Sequence, residues 1–129
     1  MRDTLKKKLT MKTKQEIFDQ VATHLLTQNK QCLDFVERCR YRNHDGLKCA
    51  IGCLIPDEDY DENMEGNQVG FFLHDMPAKM EKIGLHDQHH HLLRELQVCH
   101  DYFTPEYWKS KLKQIAENYE LNPSILEKY

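Results

Sequence analysis

The chain has 129 residues, of which 30% are charged and 40% hydrophobic, and its formal net charge is −3. That balance fits one folded domain with a core of its own and argues against wholesale disorder. It also argues against whole-surface attraction to nucleic acid, and no apolar run approaches the roughly 20 residues needed to cross a bilayer.

Residues 1–12, MRDTLKKKLTMK, are basic without a sustained apolar stripe. They read as a disordered tail, with residues 13–129 as a single globular domain. No apolar stretch follows this basic start, so a secretory signal is not expected. Met11 lies at the edge of the ordered pattern and offers an alternative start, which would make residues 1–10 an upstream extension.

Thr13-Lys14-Gln15-Glu16 has the spacing of a capping box, and Ile17, Val21 and Leu25 then recur at helical spacing beside Phe18, Ala22 and Leu26. This predicts a helix from about Lys14 to Gln28. His24 borders its apolar stripe and reads as a packed side chain. Further on, Cys39-Arg40-Tyr41-Arg42 and Leu47-Lys48-Cys49-Ala50-Ile51 flank Asn43-His44-Asp45-Gly46, a cluster suited to a turn. Two short runs around such a turn predict a β-hairpin, with a helical turn from Gly52 as the alternative before Pro56.

Between Asp57 and Glu65 stand six carboxylates and no basic residue, so this segment is expected at the surface. Asn67–Leu73 and Pro77–Ile83 read as short helical pieces, the second closed by Gly84. The spacing of Leu85, His89, Leu92, Leu96, Cys99 and Phe103 predicts a helix over about Asp87–Phe103. Thr104-Pro105 starts another helix, carrying Trp108, Leu112, Ile115, Ala116 and Tyr119 on one face and stopping at Asn122-Pro123. These two should pack as a helical hairpin. The expected fold class is α+β, mainly α, with three or more helices packed around a small β-hairpin.

Five cysteines, an odd number with no export signal, point to reduced thiols in a cytoplasm. Cys39, Cys49 and Cys53, with Cys32 or His44 as fourth ligand, have the chemistry of a structural zinc site but lack a Cys-x-x-Cys knuckle. Packed thiols explain them more simply. Cys49 or Cys53 with His44 as base would make a nucleophile, although chance alone supplies such pairs. His86, His89, His90 and His91 crowd one short stretch, and His86 and His90 stand at i, i+4, a reach suited to a metal ion. His74-Asp75 and His100-Asp101 suggest a metal-dependent hydrolase, for which the chain looks short. Asp61-x-Asn63-x-Glu65-Gly66 opens like a calcium loop but has Phe72 where a bidentate Glu belongs.

No glycine pattern for phosphate binding is present, so no cofactor is implied. Arg40, Arg42 and Lys48, with Tyr41 interleaved, are the candidate ligand-binding residues on an outward hairpin face, where an anion such as a nucleotide would dock.

The run from Cys39 through Asp45-Gly46-Leu47-Lys48-Cys49-Ala50-Ile51-Gly52-Cys53-Leu54-Ile55-Pro56-Asp57-Glu58 to Met64-Glu65-Gly66 resembles a segment of small uncharacterised proteins of bacteria and phages. The similarity extends over the opening helix and the Leu92–Asp101 stretch. It implies a bacterial or phage cytoplasm and an accessory or anti-defence role, with no activity attached. The expected function is therefore a small non-enzymatic binding protein that engages a host or bacterial protein or sequesters a small anionic ligand. The alternatives are a metal-dependent hydrolase using His and Asp residues, and a structural zinc module.

Overall fold

The computed structural model describes residues 11–129; the basic tail assigned to residues 1–12 therefore lies almost wholly outside the described residues. The domain is mainly helical. Among the described residues its helices are α1 (Lys14–Gln28), α2 (Val69–Asp75), the short α3 (Pro77–Lys82), α4 (His90–Tyr102) and α5 (Pro105–Asn118), with 3-10 turns between them. Among the described residues no helix is long and apolar enough to cross a membrane.

The capping box at Thr13 forms as expected: Thr13 Oγ1 accepts the Glu16 N–H and Glu16 accepts the Thr13 N–H, each at 3.0 Å. Helix α1 buries Ile17, Phe18, Val21, Ala22 and Leu25. It packs on α4, α5 and the 3-10 turns Gly52–Leu54 and Ser124–Lys128. The apolar stripe of the fourth helix is buried from Leu85 to Cys99, but its first turn, Asp87–His89, is 3-10 rather than α. Helices α4 and α5 form the expected hairpin, closed by Trp108, whose Nε1–H donates to the Phe103 carbonyl at 2.8 Å.

The predicted β-hairpin does not form, and among the described residues there is no β-strand. Residues 31–49 instead make two consecutive tight turns, each closed by a single antiparallel bridge, Leu33 with Cys39 and Arg42 with Lys48. The reason lies in where the backbone donors go. A ladder would pair Tyr41 with Cys49 through two bonds. The Cys49 N–H does reach the Tyr41 carbonyl at 3.1 Å, but the Tyr41 N–H goes to the Glu65 carboxylate at 2.9 Å. Likewise the Leu47 N–H is taken by the Asn43 side chain, and the Ile51 N–H by Gln97 of α4. Side chains consume the donors that would have extended the ladder.

From Gly52 the chain turns into the 3-10 segment, as the alternative reading had it. Gly52 is required here: a Cβ on it would stand 2.0 Å from the Tyr41 carbonyl oxygen.

Candidate functional site

The two turns lie side by side, tied by Asn43 Nδ2 donating to the Leu33 carbonyl at 2.9 Å and by the Phe35 ring stacked on His44 at 3.9 Å. The acidic segment folds across them. Between turns and acidic segment opens a cleft of about 500 Å³, lined by Asp34, Phe35, Arg40, Arg42, Tyr60 and Glu62 among others. Two of the residues singled out as anion ligands, Arg40 and Arg42, thus do share a cleft.

Their charges are already answered. Arg40 reaches Glu62 at 2.6 Å and Glu65 at 3.7 Å, and its Nε donates to the Arg42 carbonyl. Arg42 meets Asp57 at 2.7 Å and the Ile55 carbonyl at 2.6 Å, with its guanidinium over the Tyr60 ring. Its Nε is the buried side-chain polar atom with no partner among the described residues. Lys48 lies 3.6 Å from the same Asp57. Tyr41 does not face outward: it is buried edge-on to Phe72, and its hydroxyl donates to the Asn67 carbonyl. Arg42 and Arg40 in turn hold the Asp57 and Glu62 carboxyls below their ordinary range, through hydrogen bonds first and charge second.

Glu65 organises this region, a role that neither its place among six carboxylates nor its place in the calcium-like run reveals. Its two oxygens accept the Tyr41 and Arg42 N–H groups and the Tyr60 hydroxyl. The calcium-loop reading fails for the same reason, because Glu65 turns inward and Asp61 spends an oxygen on the Asn63 N–H. Asp59, also from this segment, is buried and paired with Lys82 at 2.9 Å.

The thiols do not converge as a zinc site would require. Cys32 donates to the Leu47 carbonyl, Cys53 to the Ala50 carbonyl, and Cys49 accepts the Gly52 N–H. Burial raises the Cys49 pKa well above its ordinary value and pushes Cys32 and Cys53 up to about 12, so none is poised as a nucleophile. His44, the proposed base, is engaged with Phe35 and Asp45 instead.

Among the described residues, the group of three donors close enough for a metal ion is Cys39, His100 and Asp101. The hydrogen bonds of His100 argue against that use. Its Nε2 accepts the Cys32 N–H at 2.9 Å, so the ring proton is on Nδ1, which donates to Asp101 at 2.7 Å. Neither ring nitrogen keeps a free lone pair for a metal or for deprotonating a thiol. Partial desolvation, reinforced by the Asp101 charge, pushes the Cys39 thiol up to about 12 although the residue reaches the surface. Asp101 also accepts from Gln97, and the whole chain of bonds joins α4 to the backbone at Cys32 and Ile51. It works as a structural staple.

Among the described residues the histidine run brings no three ligand atoms together either. His86 Nδ1 accepts the Gln88 N–H, His89 is buried with Nδ1 accepting the His86 N–H, and His90 faces His74 of α2 with ring centroids 6.3 Å apart.

One surface feature had no counterpart in the reading of site residues. Phe35 and Val36, 85% and 66% exposed, form the apex of the first turn. The turn beneath them is tightly held. Asp34 Oδ1 accepts the Val36 and Arg38 N–H groups at 2.9 Å each, Asp34 Oδ2 pairs with the Arg38 guanidinium, and the Asp34 N–H donates to the Arg38 carbonyl. Glu37 completes it at φ 64°. Comparison of the chain with protein-family models, with curated proteins and with solved structures finds no match.

Proposed function

We propose that the protein is a binding module that docks another protein through the Phe35–Val36 turn. The observation that carries this is the display of two large apolar side chains on a turn locked by the Asp34 carboxylate. Exposed apolar side chains add little to folding, and a pre-ordered turn loses little entropy on binding. A buried aromatic anchor flanked by arginines is the usual energetic centre of a protein interface. The complementary partner presents an apolar pocket.

Capture of a small anion is the weaker form of the binding reading. Asp57, Glu62 and Glu65 already occupy Arg40, Arg42 and Lys48, and an anion would have to displace them. The resemblance to bacterial and phage proteins directs the search for the partner to bacterial lysate.

A photo-crosslinking side chain at Val36 tests the proposal. A discrete adduct is expected, competed away by unlabelled wild-type protein but not by the Phe35→Ser, Val36→Ser double variant, which should fold normally. Equal competition by the two proteins would refute docking through this turn.

A further inference from the structure

The histidine pair between α2 and α4 has no role in the docking turn. His74, near the end of α2, is exposed; His90, at the start of α4, is half-buried. Their rings meet edge to face, with centroids 6.3 Å apart and planes at 86°. Both lie over Gly70, where a side chain would stand 3.8 Å from His90 Nε2 and 4.0 Å from His74 Cδ2.

Other histidines spend ring nitrogens on hydrogen bonds: His24 on the Lys48 carbonyl, His86 on Gln88, His89 on His86, and His100 on Cys32 and Asp101. Among the described residues no hydrogen bond engages the ring nitrogens of His74 or His90. The His91 ring stacks on His90, with centroids 5.7 Å apart.

We infer that His74 and His90 form a two-imidazole site for a divalent late transition-metal ion such as zinc, bridging α2 and α4. Imidazole nitrogens bind such ions at about 2.0–2.1 Å, which sets two ring centroids roughly 5–6 Å apart on one ion. Starting from the edge-to-face contact, the exposed His74 side chain turns so that one ring nitrogen of each imidazole faces the same ion. Water fills the remaining coordination positions. The ligands come from different helices, so the ion clips α2 to α4 and stabilises the folded state by mass action.

The experiment uses untagged full-length protein stripped with a chelator, titrated with zinc chloride and followed by calorimetry and thermal melting. One zinc per chain is expected, with a rise in melting temperature that disappears in His74→Ala and in His90→Ala. Either variant should bind at least about tenfold more weakly, the factor that about 1.4 kcal/mol represents, while its zinc-free circular dichroism stays that of the wild type. Equal zinc binding by wild type and both variants would overturn the assignment. So would loss of binding on Cys39→Ser with His74→Ala unaffected, which would move the ion to the group around His100.

Discussion

Replacing Gly52 by alanine adds one methyl group where two stretches of backbone approach closely. That carbon would meet the Tyr41 carbonyl oxygen at 2.0 Å, its carbon at 2.9 Å and Tyr41 Cα at 3.3 Å, where ordinary contact begins near 3.4 Å. All three are main-chain atoms, so no side chain can swing aside. The Tyr41 peptide must retreat by more than an ångström, yet Glu65 grips its N–H and Cys49 its carbonyl. Overpacking of this kind costs about 1–3 kcal/mol. Loss of the Cys49 bond adds about 1 kcal/mol. The expected destabilisation is about 2–4 kcal/mol, a large share of the roughly 5–15 kcal/mol that holds a small domain folded. Urea unfolding followed by circular dichroism should show the midpoint falling at constant slope. Thermal melting should drop by roughly 10 °C. Gly70→Ala is the comparator, because its methyl would meet His90 at an ordinary 3.8 Å inside a helix. It should be neutral or stabilising by up to about 1 kcal/mol. A Gly52→Ala midpoint equal to that of the wild type would refute the close approach and the turn geometry built on it.

Glu65→Ala should cost about 3 kcal/mol in the same unfolding assay, because it strands two backbone N–H groups and the Tyr60 hydroxyl around a nearly buried carboxylate site. Exposed Glu58→Ala, from the same acidic segment, should change stability by less than about 0.5 kcal/mol, and equal effects would refute the clamp. Burial lowers the pKa of His24 and of His89 from the ordinary 6.5. Below that pH the unfolded chain takes up protons that these two sites resist, so stability should fall as pH drops from 7 towards 5.5. The His24→Gln, His89→Gln double variant should show a shallower decline across this window. An unchanged slope would refute the assignment.

Local signals were legible wherever one segment carried the whole answer. Helix α1 has its capping box and its apolar stripe within sixteen residues, Thr13–Gln28, and both appeared where the spacing put them. The stripe of α4 and the Thr104-Pro105 break before α5 behaved the same way. The hairpin expectation failed because turn chemistry and alternation say only that two runs fold back on each other. They do not say that Glu65, Gln97 and Asn43 will take the intervening N–H groups. In the same way, His86 and His90 stand at metal-binding spacing on a helix, yet the chain is 3-10 at that point and His90 meets a residue sixteen positions earlier.

Opposite charges illustrate the division most clearly. From the order of residues alone, the basic stretch at 40–48 and the acidic stretch at 57–65 are two separate surfaces, each free to attract its own partner. Folding lays one over the other, because a guanidinium lined with carboxylates neutralises both groups as the chain is compacted. What the amino-acid order settled was helix position, the apolar faces and the absence of a long membrane-spanning run, all properties of short-range periodicity. Which charges remain available, which thiols and imidazoles are already bonded, and that Phe35 and Val36 stand exposed depend on contacts between distant residues. Those contacts exist only once the chain has closed.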